Sequence, residues 1–150
     1  MKPEDFGPIF AFFNEIGIIE QLSRTQLEAH LPEGLIAPHF GVLNHLVRLG
    51  DGRTPLQIAK AFQVPKTSMS HTLAVLQKRG LIDMATNPED ARSKIISITQ
   101  AGRDVREAAI VSLIPDFQRV LGQFDPENFK AALPFLIKLR ETMDKARDAP

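Results

Sequence analysis

Asp90-Ala91-Arg92-Ser93-Lys94-Ile95-Ile96-Ser97-Ile98-Thr99-Gln100-Ala101-Gly102 is the stretch that decides how this chain folds. Ile96 and Ile98 are two apart, so they fall on one face of a strand. Thr99 suits the N-cap of a following helix. Asn87-Pro88 marks a turn just upstream, which leaves Asp90 and Arg92 on a charged loop tip. Leu81-Ile82-Asp83-Met84-Ala85 supplies an opposing strand, and the two runs predict a hairpin. Before it, Lys66 to Arg79 carries Met69, Leu73 and Leu76 on one helical stripe, and Gly80 can adopt the left-handed conformation that ends a helix. Helix, glycine, hairpin, long helix is the order of a winged helix-turn-helix. The predicted fold class is mainly α with a small β-hairpin wing and flanking dimerisation helices.

Working outward, Thr54-Pro55-Leu56-Gln57 is the clearest helix start. Thr54 caps, Pro55 takes the first helical position and Gln57 closes the capping box. This short helix is expected to reach Phe62, with Leu56, Ile58, Ala59 and Phe62 inward, and Val64-Pro65 makes the turn into Lys66–Arg79. The polar face of that next helix holds Thr67, Ser68, Ser70, His71 and Gln77. Upstream, Pro38 opens a helix that Gly50-Asp51-Gly52 terminates. The first helix starts between Asp5 and Pro8 and is apolar nearly all round, so it needs cover on two sides, which a second subunit supplies. Ser23-Arg24-Thr25-Gln26 reads as a capping box for a separate short helix to Leu31. Beyond the wing, a long helix is expected from Gln100 to about Leu121 with a kink at Pro115. Asp125-Pro126 caps a final helix that Pro134 bends.

At 150 residues the chain reads as one domain: a winged lobe at about 36–104, with helical dimerisation regions at about 5–31 and 105–148. Phe6, Ile9, Phe10, Phe13, Phe117, Leu121, Phe129, Leu133 and Leu136 are the expected dimer contacts. There is no cysteine, which excludes disulfides and thiolate chemistry. No run approaches the roughly 20 apolar residues of a membrane span, and Lys2-Pro3-Glu4-Asp5 does not open a secretory signal, so the cytoplasm is expected. The net charge is zero, but its distribution is uneven. Residues 1–50 hold three basic against six acidic residues, residues 51–104 eight against five, and residues 105–150 seven of each. The one positive third contains the predicted lobe, where phosphates would be attracted.

The D-x-R tip, the spaced Ile96, Ile98 and Thr99, and Gly102 resemble the wing signature of the MarR family of bacterial transcription regulators. Leu76-Gln77-Lys78-Arg79-Gly80-Leu81-Ile82 is similar to that family's junction between recognition helix and wing. The resemblance covers about Pro38 to Arg103. It implies a homodimer that binds double-stranded DNA at a pseudo-palindromic operator, commonly as a repressor released by a small aromatic or anionic effector. Pro65 departs from the Ser, Thr or Asp that usually caps the family's recognition helix, and His71 stands where Arg is frequent.

In a helix-turn-helix the second helix enters the major groove. Thr67, Ser68, Ser70 and His71 are therefore the expected base readers. Arg92, held by Asp90, suits the negative potential of a narrow minor groove. Lys94, Lys66, Lys78 and Arg53 are expected at phosphates, with Thr54 beside them. Arg79 is a further cation of this set. Phe10, Phe13, His39 and Phe40 are nominated as the lining of an effector pocket. The four histidines include no i, i+4 pair and no cysteine could complete a site, so neither metal nor cofactor is expected. Serine-hydrolase, nucleotide-loop and dinucleotide motifs are absent, so no enzymatic activity is expected. The competing reading is a winged-helix module for protein contacts, without sequence-specific DNA readout.

Overall fold

Met69, Leu73 and Leu76 are buried along one side of the helix Lys66–Lys78, and the lobe is organised around them. The computed structural model describes residues 1–150 in two compact units, Met1–Leu113 and Ile114–Pro150. In chain order the helices are α1 (Phe6–Ala29), α2 (Ala37–Leu49), α3 (Pro55–Phe62) and α4 (Lys66–Lys78). Strands β1 (Ile82–Thr86) and β2 (Lys94–Ile98) follow, then α5 (Gln100–Ser112), α6 (Ile114–Leu121) and α7 (Pro126–Asp148).

In the first unit, Val42, Leu43 and Leu46 of α2 join Ile58 and Ala59 of α3, the α4 stripe, and Ile82, Ile96 and Ile98 of the hairpin in one core. Fully burying an aliphatic side chain contributes roughly 1.5–3 kcal/mol. The hairpin is antiparallel with Ile82 opposite Ile98 and Met84 opposite Ile96, so one face of both strands turns inward as the alternation requires. A third element joins this sheet: Arg53 bridges to Ile96, whose N–H donates to the Arg53 carbonyl at 2.8 Å. Asp51 adds an anchor by accepting from the Ile98 N–H at 2.8 Å.

Two helix ends set the geometry of α4. At the end of α3, Gln63 takes the left-handed conformation (φ 53°), and the N–H groups of Gln63 and Val64 donate to Lys60 and Ala59. At the end of α4, Gly80 (φ 69°) and Leu81 donate to Gln77 and Leu76. Both are Schellman closures, which satisfy otherwise orphaned carbonyls. Thr99 caps α5 by accepting from Gly102 N–H and also donates to the Gly80 carbonyl at 2.7 Å, tying the start of α5 to the end of α4. A β-carbon at Gly102 would collide with the Leu81 carbonyl oxygen and lie 2.8 Å from Ile98 Cγ1. The glycine of the wing signature is therefore required by close packing.

Three expectations are corrected. α1 runs unbroken to Ala29, so Ser23-Arg24-Thr25-Gln26 does not start a new helix. With no proline or glycine there to end the first helix, Ser23 and Thr25 bond back to the carbonyls of Glu20 and Gln21. Leu56 is 61% exposed rather than inward, because the inward face of so short a helix is taken by Ile58 and Ala59. The helix expected from Gln100 to Leu121 is two helices, broken at Leu113. Pro115 has no N–H to donate and its ring would meet the Val111 carbonyl, so the ladder ends instead of bending. In the second unit, Asp125 caps α7 by accepting from Glu127 N–H, and α7 continues through Pro134.

Candidate nucleic-acid interface

Thr67, Ser68, Ser70 and His71 are all exposed on α4, and none of their side chains is engaged in a hydrogen bond within the chain. Thr72 is occupied, since its hydroxyl donates back to Ser68. Pro65 is the N-cap of α4, as the sequence placed it, and contributes no side-chain acceptor. At the start of α3, Thr54 accepts from Gln57 N–H while Gln57 accepts from Thr54 N–H, completing the expected capping box. The Thr54 hydroxyl oxygen is therefore already used as an acceptor.

The wing presents Arg92 with its side chain 92% exposed. Its Nε and its backbone N–H both donate to Asp90 Oδ1 at 3.1 Å. The Arg92 guanidinium and N–H hold the Asp90 carboxyl below its usual range, which favours the carboxylate that accepts both bonds. A cleft of about 600 Å³ opens between the wing tip, the start of α3 and α4. Thr54, Lys66, Ser70, Asp90, Arg92 and Lys94 line it, with Asn87, Ser93 and the apolar Pro55 and Leu56. Lys66 and Lys94 are exposed and carry no ion pair, as does Lys78 at the far end of α4.

Two other cations are drawn into the fold. Arg53 donates through Nη2 to the Leu49 carbonyl at the end of α2, and its Nε is buried without a partner. One guanidinium nitrogen of this expected phosphate contact is thus engaged at the end of α2. Arg79 donates to the Glu33 carbonyl in the loop before α2. Two wing residues were absent from the expected site. Asn87 and Ser93 bond to one another across the tip, side chain to side chain, at 3.0 Å. The Asn-Pro turn signal marked the bend there, but no local pattern announces a bond six residues long.

The effector nominees are scattered. Phe10 is 73% exposed and Phe13 is also exposed on α1. His39 is buried at the start of α2, its Nδ1 accepting from Ile36 N–H at 2.9 Å, and Phe40 is half-buried beside it. A mostly apolar cleft of about 530 Å³ lies elsewhere in this unit, between the end of α1 and α5, lined by His30, Leu31, Pro32, Asp104, Val105 and Ala108 among others. Of the expected dimer contacts, Phe6, Phe10 and Phe13 are exposed and Ile9 is half-buried on α1. In the second unit, Phe117, Phe129, Leu133 and Leu136 are exposed and Leu121 is half-buried. There Phe117, Leu121, Phe124 and Phe129 line an apolar cleft of about 350 Å³.

Residues 33–93, which include α2 to the wing tip, match the model of the family described as MarR family. A curated relative, the transcriptional activatory protein BadR of Rhodopseudomonas palustris, is 24% identical over 91% of this chain and 80% of its own. Among solved structures, a crystal structure of MarR superposes with a TM-score of 0.79 at 21% identity, covering 89% of this chain and 91% of the other. A mutant MarR from E. coli complexed with operator DNA gives 0.67 at 23% identity, over 89% of this chain and 95% of that one. These structural likenesses establish the winged-helix fold. No helix of the chain is long and apolar enough to cross a membrane.

Proposed function

We propose that this chain is a regulator of the MarR family, whose model its residues 33–93 match, and that it is a homodimer that binds double-stranded DNA sequence-specifically. The observation that carries the reading is the cleft shared by α4 and the wing. On one side of the lobe it gathers unpaired Lys66 and Lys94, the pre-oriented Arg92, and the open hydroxyl of Ser70. α4 lies in the major groove, where Thr67, Ser68, Ser70 and His71 meet base edges. Hydroxyls bond bases or phosphates, and His71 donates to guanine without the bidentate fork of an arginine. Arg92 enters the adjacent minor groove, and Lys66, Lys78 and Lys94 neutralise phosphates.

A single lobe contacts one half-site, and a two-fold dimer reads two, about one helical turn apart. The apolar residues exposed on α1 and in the second unit support the dimer, because surfaces of this kind are covered in a soluble assembly. We take the chain to repress where its operator overlaps a promoter; the curated relative's name records an activator, and operator position sets the sign. The effector is a small aromatic or anionic molecule; the residues nominated for it line none of the clefts described above, and we assign it instead to the mostly apolar cleft between α1 and α5.

The test is selection of duplexes from a random pool, followed by fluorescence anisotropy over a range of salt. The expected outcome is a pseudo-palindromic consensus whose affinity falls steeply with salt. Recovery of no consensus, with no duplex binding at low salt, would replace this reading with that of a protein-contact module.

A further inference from the structure

We infer that Asn87 and Ser93 are positioning residues for Arg92, locking the wing tip so that the guanidinium meets DNA already oriented. The inference rests on the DNA-binding reading above. Asn87 uses both ends of its amide: Oδ1 accepts from Glu89 N–H and Nδ2 donates to Ser93 Oγ, each at 3.0 Å. Ser93 in turn donates its hydroxyl to the Asp90 carbonyl at 3.4 Å and its N–H to the same oxygen at 3.0 Å. Backbone bonds from Asn87 N–H to Ser93 and from Asp90 N–H to Asn87 close the loop. The Asp90 carboxylate, fixed by this frame, receives both donors of Arg92.

The tip thus has a polar interior. Asn87, Asp90 and Ser93 are half-buried, while Pro88, Glu89, Ala91 and Arg92 face solvent. Asp90 alone could pair with Arg92 on a floppy loop, but an exposed ion pair of that kind orders little. The Asn87–Ser93 crosslink is what makes Asp90 a fixed point. Ordering a long side chain before association removes part of the cost that binding would otherwise carry. Neither Asn87 nor Ser93 is charged, so their contribution differs in kind from that of Arg92. They change how well the cation is aimed and leave the number of phosphates neutralised unaltered.

The experiment compares Asn87→Ala, Ser93→Ala, Ser93→Thr, Arg92→Ala and the Asn87→Ala/Arg92→Ala double variant. Binding is read by anisotropy on a duplex selected by the wild-type protein, over a salt series, with thermal melts alongside. Arg92→Ala should weaken binding roughly 5- to 150-fold and flatten the salt slope by about one unit. Asn87→Ala should weaken it about fivefold with the slope unchanged, the scale of one net hydrogen bond. That loss should vanish in the Arg92→Ala background, which a general loosening of the wing would not produce. Ser93→Thr keeps the hydroxyl and should bind like wild type, whereas Ser93→Ala should not. Should Asn87→Ala melt early, the two Ser93 variants decide the matter. Wild-type affinity for Asn87→Ala or Ser93→Ala, or full additivity in the double variant, overturns the positioning role while a weakened Arg92→Ala leaves the DNA reading standing. Unchanged affinity for Arg92→Ala removes the DNA role of the wing, and with it this inference.

Discussion

The winged lobe and the flanking helices spend their apolar residues in opposite ways. In the lobe, Val42, Leu43, Ile58, Leu73, Leu76 and Ile96 are wholly buried within one chain. On α1 no residue is buried, and Phe6, Phe10, Phe12, Phe13, Ile16, Ile19 and Leu22 remain exposed. α6 and α7 likewise bury none of theirs. A lobe that closes its own core holds a reading head in one shape. On the proposed dimer, helices that leave theirs open would gain their stability from a partner, and assembly and recognition would fall to different parts of the same short chain.

The sharpest way to break this contrast is to charge the open face. Phe13→Asp should cost the dimer roughly 3–5 kcal/mol, because it would bury an uncompensated carboxylate at the subunit contact. Sedimentation at micromolar concentration should show monomers, with the hairpin and α4 still folded by circular dichroism. A Phe13→Asp protein that stays dimeric removes α1 from the interface. The complementary change is Leu73→Ala, which empties part of the lobe's core and should lower its stability by about 2–5 kcal/mol in denaturant melts. A negligible change there would mean that the lobe is not the self-sufficient part.

Gly102→Ala tests the seam inside the lobe. Its new methyl meets the Leu81 carbonyl oxygen, which is backbone and cannot swing aside, so a loss of about 1–3 kcal/mol is expected in thermal melts. Gly50→Ala is a useful contrast, since open space surrounds that position and only its positive φ opposes a side chain.

The smallest expected effect is that of pH. Burial, with Arg79 and His71 nearby, pushes His39 below the ordinary histidine range. Burial, with Arg48 and Arg53, does the same for His45, which packs on Phe62 at a centroid distance of 5.3 Å. Both histidines are thus neutral in the folded lobe, and the unfolded chain takes up protons more readily near its reference value of about 6.5. Stability should therefore be flat above about pH 7.5 and fall as pH drops through about 6.5 toward 5.5. Asp90 titrates well below that window. His39→Asn, which can still accept from Ile36 N–H, should reduce the slope; an unaltered slope would assign the effect elsewhere.

Much of this molecule is legible in local sequence because its signals are short-range. Thr54-Pro55-Leu56-Gln57, the Met69-Leu73-Leu76 stripe, Gly80, the Ile96-Ile98 alternation and Thr99 each act through neighbours within a turn or a strand. Their readings hold in the structure. Ser23-Arg24-Thr25-Gln26 misled because a capping box is the same four residues whether or not a helix already runs through them. Leu56 misled because an eight-residue helix offers too few positions to tell the buried side from the next.

What only the tertiary structure decided were the fates of residues whose partners lie far along the chain. Arg53 and Arg79 look like phosphate contacts by charge, and the fold engages one guanidinium nitrogen of each with the carbonyls of Leu49 and Glu33. Asp51 became the anchor of Ile98, 47 residues away, and Gly102 is required by the Leu81 carbonyl against it. The sequence by itself determined where helices and strands begin and which side of each is apolar, because those preferences act within a few residues. The fold decided which polar groups remain free for DNA, because that depends on which backbone carbonyls and N–H groups are left unsatisfied once the core has closed.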